Sequence, residues 1–282
     1  MSIKYAIDRL LTPDQLDLTT NIMAQHHNYD AIVSEYTVHL IEGLSSYNIA
    51  DKYGNIYFLY NIEDKKVDRI LKIFTDIDSF QREVNGYNKL ENYAPKLYGY
   101  GDVISYNYTD GLPRVEKYLI VEKYDGDLYD LLEQINQDSS LDIAGKNEYK
   151  RRIMKTIKDM ILEVNRAGYR HGDFHRGNIV YKRNTDGTIK LAFIDFELLI
   201  EYDRHGRVIS AKDYDNTSDN FTDYNQYYDL MNLETNLVSA GIKFTIPEID
   251  RQFFWARQGP AEIEDYEYAI REDSPAGILV ID

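Results

Sequence analysis

Between Tyr47 and Phe74, short apolar and aromatic runs alternate with turn-forming clusters. YNIA, NIYFLYNI and VDRILKIF are separated by DKYG and EDKK, the pattern of a three-strand β-meander. The period then changes. In DSFQREVNGYNKLENY, the residues Phe80, Val84, Tyr87 and Leu90 fall at helical spacing on one face. KLYGYGDVI and EKYLIVEKY return to strand character, so residues 37–122 are expected to form a small antiparallel sheet with one helix. Ahead of it, LTPDQLDLTTNIM carries Thr12 as a helix cap and Pro13 in the first turn, which predicts a helix within an extension over residues 1–36.

After YDGDL the pattern becomes helical. Asp127 is placed to cap LYDLLEQI, and KNEYKRRIMKTIKDMILEVNRAGY sets Ile153, Ile157, Met160, Ile161 and Val164 on one stripe that ends at Gly168. The other face holds Lys146, Lys150, Arg151, Arg152 and Lys155, the composition of a solvated helix surface. EYDRHGRVISAKDYDNTSDNFTDYNQ is the longest stretch without apolar periodicity, and YYDLMNLETNLV resumes a helix. The expected class is therefore α+β, with residues 123–282 forming a larger, mostly helical region.

Composition narrows the chemistry. A hydrophobic share of 43% and only 6 prolines in 282 residues describe a folded globular chain. No run approaches the ~20 apolar residues that cross a bilayer, and the amino terminus lacks a signal-type apolar run; a cytoplasmic location and no membrane partner are expected. Cysteine is absent and the six histidines lack zinc-ligand spacing, so any metal must be held by oxygen. The formal charge of −16 excludes general nucleic-acid binding and favours basic proteins or cationic small molecules as partners. The 26 tyrosines are expected to be amphipathic packing residues.

The chemistry concentrates in GYRHGDFHRGNIVYKR and, shortly after it, KLAFIDFELL. Phosphoryl transfer from ATP needs a cation on the α/β-phosphates, a partner for that cation, oxygen ligands for Mg²⁺ and a carboxylate near the attacking hydroxyl. Each has a candidate in order. RILKIF offers Lys72 and FQREV offers Glu83 as its partner; HGDFHRGN supplies Asp173 as base and Asn178 as a metal ligand; IDFE supplies Asp195 as the main metal ligand.

In this order the motifs resemble the protein-kinase-like superfamily, from about Tyr47 through Asp229. The resemblance implies a two-lobed kinase-like fold and the cofactors ATP and Mg²⁺. VEKYDGDLYDLL is similar to the inter-lobe hinge, which implies adenine bonded by backbone groups of Glu122 and Tyr124 and a gatekeeper at Val121. Asp229 looks like the buried aspartate that ties the catalytic loop to a central helix, and His171 is expected to pack under the Asp-Phe pair. HGDFHRGN is most similar to the loops of aminoglycoside and choline kinases and atypical protein kinases.

Several positions depart from regulated kinases. Only Gly54 fits the phosphate-covering glycine loop, with Ile49 and Asp51 where two other glycines would stand; Gly172 replaces an Arg that grips a phosphorylated loop; Glu197 replaces the Gly of Asp-Phe-Gly. Where Ser/Thr kinases place a Lys two residues after the catalytic Asp, this chain has His175. Protonated His175, or Arg176 reaching back, is expected to supply that charge. The large lobe is expected to be cut short after its central helix. The expected function is an ATP- and Mg²⁺-dependent kinase, first as a protein serine/threonine kinase; the alternatives are a small-molecule kinase of the aminoglycoside or choline type and a non-catalytic pseudokinase scaffold. Oligomeric state is not legible.

Overall fold

The computed structural model describes residues 41, 44–106, 113–203, 208–210, 228–239 and 278–279. The helix expected after Thr12 and the acidic stretch AEIEDYEYAIRED lie outside them. The chain divides into two compact units: Met1–Phe80 with Leu97–Lys123, and Gln81–Lys96 with Tyr124–Asp282. It is a mixed α/β protein whose strand pairings, among the described residues, are all antiparallel, consistent with a kinase-like fold.

The first unit is a five-stranded sheet. Strands β1 (Tyr47–Tyr53), β2 (Ile56–Asn61), β3 (Lys66–Phe74), β4 (Leu97–Tyr106) and β5 (Pro113–Glu122) run in the order β1-β2-β3-β5-β4. The meander follows from the turn chemistry anticipated at DKYG and EDKK, although β1 continues through Tyr53 before Gly54 turns the chain at φ +59°. Strand alternation then sorts the side chains. Leu71 and Ile73 of β3 join Leu59, Val103, Ile120, Tyr47, Ile41 and Leu44 in one apolar core, while Lys72 between them points to the other face. The guanidinium of Arg69 lies 4.7 Å from the ring centre of buried Tyr47 and 4.2 Å from that of Tyr98; the tyrosines divide between packed ones and exposed ones such as Tyr53, Tyr98 and Tyr100.

Helix α1 spans Ile77–Lys89, and its part from Gln81 onward belongs to the second unit. Its buried face differs from the apolar pattern in the sequence. Phe80, Glu83, Tyr87 and Leu90 are buried and Val84 is only half-buried, so a carboxylate occupies a position that packing alone would give to an aliphatic residue. Helix α2 (Leu128–Gln137) starts at Asp127 with a reciprocal capping box to Asp130. Helix α3 (Ile143–Arg166) starts a few residues before KNEYK because the Asp142 side chain accepts from the Gly145 amide; Ile153, Ile157, Met160, Ile161 and Val164 are all buried. Its basic face is held in part by ion pairs within the helix, Arg151 and Arg152 to Glu148 and Lys155 to Asp159.

Among the described residues this unit also holds two small sheets. Strands β6 (Gly126–Asp127), β8 (Ile179–Arg183), β9 (Ile189–Phe193) and β12 (Ile278–Leu279) form one, in the order β12-β9-β8-β6. The other runs β11-β10-β7, from β7 (Tyr169–Arg170), β10 (Ile200–Tyr202) and β11 (Val208–Ser210). The last two lie at the start of the polar segment that sequence periodicity left without structure. Three-residue strands are too short to show a period, and backbone pairing to the loop after α3 carries them. Helix α4 (Tyr228–Ser239) buries Asp229, Leu230, Leu233 and Leu237.

Candidate active site

The loop after α3 is fixed by groups that are polar and buried. Gly168 ends the helix at φ +87°, and two residues of β7 lead into His171, which is 0% exposed. Its amide and that of Gly172 donate to the two oxygens of Asp229, at 2.8 and 3.0 Å, and Asp229 is itself 0% exposed. The His171 ring donates from Nε2 to the Ile194 carbonyl at 2.8 Å and packs against Phe174 and Phe196, with ring centres 4.8 and 5.3 Å away. Burial lowers the His171 pKa and keeps the ring neutral, which suits a single donated proton. Burial also raises the Asp229 pKa, opposed by His171 and the two amides. The anchoring roles expected of Asp229 and His171 are met. Gly172 has a local cause: its φ is +85°, and a Cβ there would lie 2.3 Å from the Leu198 carbonyl oxygen.

This anchoring presents Asp173 with its side chain 46% exposed. Asn178 closes the short 3₁₀ turn Arg176–Asn178 and donates from Nδ2 to the Asp173 carbonyl at 3.0 Å and toward its Oδ2 at 3.4 Å. Its amide nitrogen is engaged in this way, and its amide oxygen is an acceptor. His175 lies with Nε2 3.6 Å from Asp173 Oδ2. The Arg176 guanidinium lies 4.7 Å from the ring centre of Tyr129, and the Arg176 amide donates to Asn236 Oδ1.

A second cluster forms where β9 ends. The Ile194 amide donates to the Asn178 carbonyl at 3.0 Å, which ties this segment to the loop that carries Asp173. Asp195 has φ +68°, in the left-handed region that non-glycine residues seldom adopt. Its neighbour Phe196 is fully buried and donates its amide to Glu83 Oε2 at 2.7 Å, and Glu83 is 1% exposed. Gly86 lets Phe196 approach α1, since a Cβ at Gly86 would lie 2.4 Å from the ring. Carboxylate oxygens of Glu83, Asp195 and Glu197 lie within 4.8 Å of one another. Three such groups repel one another unless a cation joins them. An all-oxygen donor set fits Mg²⁺ and agrees with the exclusion of thiolate and imidazole sites. The Tyr87 hydroxyl beside them is pushed well above its usual pKa, first by burial and then by Glu83 and Asp195.

The other expected residues fall in the first unit, Tyr124 excepted. Lys72 sits on β3 opposite Ile56 and Leu119, with Nζ 5.0 Å from the Phe74 ring centre. Val121 is buried on β5 and Glu122 ends that strand. Tyr124, buried in the second unit, lies 5.8 Å under the Lys190 ammonium. Gly54 turns β1 into β2, after a register shift between Ile49 and Asp51. Within the second unit the fold thus gathers Asp173, His175 and Asn178 in one loop and Glu83, Asp195 and Glu197 in a cluster tied to it.

Sequence reasoning missed Glu197 as a member of that cluster and registered it only as a departure from Asp-Phe-Gly. The second acid of IDFE, so close to Asp195, was the available signal. It also missed Arg82, whose Nε donates to the Glu197 carbonyl at 2.8 Å and fixes the backbone there.

The family model described as the Lipopolysaccharide kinase (Kdo/WaaP) family matches residues 104–216, less than half of the chain. A search of curated proteins returns no match. The matched segment holds Val121, Glu122, Tyr124, Asp173, His175, Arg176, Asn178 and Asp195, while Gly54, Lys72, Glu83 and Asp229 lie outside it. That family is one of kinases within the protein-kinase-like superfamily. Its match over the segment that carries Asp173, Asn178 and Asp195 supports an ATP-dependent phosphotransferase.

Proposed function

We propose that the protein transfers the γ-phosphoryl group of ATP to a hydroxyl of a small sugar-like acceptor. The observation that carries this is the match of a kinase family named for a lipopolysaccharide sugar over the segment containing Asp173, Asn178 and Asp195. It turns the first expectation, a protein serine/threonine kinase, toward the small-molecule alternative. The chain's own charge narrows the acceptor further. At −16 it disfavours strongly anionic acceptors relative to neutral ones and attracts cationic ones, so an amino sugar fits better than an acidic glycolipid.

The residues divide the work as follows. Asp173 orients the acceptor hydroxyl and takes its proton as the new oxygen–phosphorus bond forms and ADP leaves. Asn178 and Asp195, joined by Glu197, hold Mg²⁺, which when bound neutralises charge on the phosphates. Glu83 holds the Phe196 amide, which keeps Asp195 in its left-handed conformation. Lys72 is assigned to the α/β-phosphates and to pairing with Glu83. Val121 and the backbone groups of Glu122 and Tyr124 are assigned to adenine. Gly54 is assigned to covering the phosphates with a single glycine in place of a glycine cradle. A cytoplasmic location, where ATP and Mg²⁺ are supplied, belongs to the same proposal.

The test is incubation with γ-labelled ATP and Mg²⁺ in the presence of neutral sugars, aminoglycosides, acidic sugars or a basic protein. Label should enter the neutral or amino sugars. Label confined to the protein acceptor would restore the serine/threonine kinase, and no transfer to any acceptor or to water would favour the scaffold.

A further inference from the structure

His175 and Arg176 were expected to compete for one task, placing positive charge on the γ-phosphate. The geometry points to another task for the histidine. We propose that His175, whose Nδ1 accepts the Gly177 amide and whose Nε2 faces Asp173, is a positioning residue that holds Asp173 Oδ2 so that Oδ1 faces the acceptor hydroxyl. This rests on the reading of Asp173 as the base.

Three observations converge. His175 caps the turn Arg176–Asn178 from extended backbone (φ −143°, ψ 168°), and its Nδ1 accepts the Gly177 amide at 3.1 Å. A ring nitrogen that accepts an N–H carries no proton, so the single proton of the neutral ring is on Nε2. That nitrogen is the one 3.6 Å from Asp173 Oδ2. The same oxygen is approached by Asn178 Nδ2 at 3.4 Å, so two N–H groups converge on Oδ2 from opposite ends of one turn. Both distances exceed a tight hydrogen bond, as is common at a catalytic carboxylate before substrate is bound.

Neighbouring residues fit the same task. Gly177 allows the close ring approach: a Cβ there would lie 3.1 Å from His175 Cε1 and 3.2 Å from Nδ1. An imidazolium would direct a proton from Nδ1 at the Gly177 amide, donor against donor, and break the cap. Arg176 stacks on Tyr129, which gives its charge a partner on α2.

Two substitutions separate the ends of the ring. Asparagine places an oxygen where Nδ1 accepts and has no donor that reaches Asp173; glutamine places an amide N–H where Nε2 donates and gives up the cap. With water as acceptor, measured as Mg·ATP hydrolysis, His175→Asn should lower kcat about tenfold, equivalent to ~1.4 kcal/mol. The KM for ATP and the melting temperature should stay unchanged. His175→Gln should stay within about threefold of wild type in kcat while melting lower. In an Asp173→Asn background, His175→Asn should cause no further loss, because the histidine acts through Asp173. Full activity in His175→Lys together with loss in His175→Gln would overturn the proposal in favour of a cationic role. If Asp173→Asn keeps wild-type turnover, the functional reading fails. The histidine assignment is then judged by long-range proton–nitrogen NMR of the ring, which needs no turnover: the Nε2–H tautomer at pH 7 supports it, and an Nδ1–H tautomer or an imidazolium overturns it.

Discussion

Gly172 and Gly54 both hold left-handed backbone, at φ +85° and +59°, yet they sit in opposite surroundings. Around Gly172 a Cβ would meet the Leu198 carbonyl at 2.3 Å, and the flanking amides are fixed by buried Asp229; a Cβ at Gly54 would meet no described residue within 4 Å beyond its chain neighbours. The catalytic loop is over-determined by buried polar contacts. The β1–β2 turn is held by two strands and its own conformation. The comparison shows where this chain fixes its geometry: at the loop that carries Asp173 and at the acidic cluster of Glu83, Asp195 and Glu197 tied to it. Among the described residues, the β1–β2 turn is a hairpin end that no side chain crowds.

The largest effect should come from the residue the loop exists to present. Asp173→Ala should lower kcat by about 10²–10⁴-fold, the range for general-base catalysis, with an unchanged melting temperature. Asp195→Ala should abolish transfer as well and also weaken the Mg²⁺ dependence of nucleotide binding, seen as a smaller thermal shift with Mg·ATP. Wild-type turnover in the Asp173 variant would break the comparison at its centre.

Next comes the anchor. Asp229→Ala leaves the buried amides of His171 and Gly172 without their acceptor, and a fall of about 3–5 kcal/mol in unfolding free energy by urea titration is expected. A loss under about 1 kcal/mol would show that the loop is not held from below. The glycine pair sharpens the contrast. Gly54→Ala should cost about 1–2 kcal/mol, the strain of a side chain in left-handed backbone. Gly172→Ala adds collision with backbone and should cost about 2–4 kcal/mol, with loss of activity. Equal losses would mean that the Leu198 contact contributes nothing.

The smallest effect is a pH dependence. Because the His171 pKa is lowered in the folded state, its contribution to stability is complete above the unfolded value of 6.5 and is lost as pH falls through the folded pKa. The raised Asp229 pKa acts in the opposite sense, its contribution fading as pH rises from 3.8. Comparing wild type with His171→Gln removes the histidine's own titration, and the loss of its lowering effect on Asp229 changes the slope in the same direction. Below about pH 6.5 the slope of unfolding free energy should be shallower in the variant, by up to ~1.4 kcal/mol per pH unit. Parallel slopes would show that His171 titrates alike in folded and unfolded chains.

Legibility followed the same division. The meander, the stripe of α3 and the Asp127 cap announced themselves because period and turn chemistry are local properties of the chain. Asp229 and His171 were legible through resemblance, and their contacts explain why the residue types are needed. The buried face of α1 was misjudged at one position, since Glu83 is held by the Phe196 amide far along the chain and no local pattern records that bond. Glu197 went unrecognised as a member of the acidic cluster for a related reason: the closeness of two acids in IDFE hinted at it, but Glu83 joins them only in the folded unit. The strands β10 and β11 were lost because three residues carry no period.

The most direct measurement is phosphorus-31 NMR of unlabelled ATP, Mg²⁺ and a mixture of neutral and amino sugars with the full chain. A new phosphomonoester on a sugar hydroxyl, absent when Asp173→Ala replaces wild type, is the expected result. ADP and inorganic phosphate alone, or phosphate found only on protein side chains, would contradict transfer to a small acceptor.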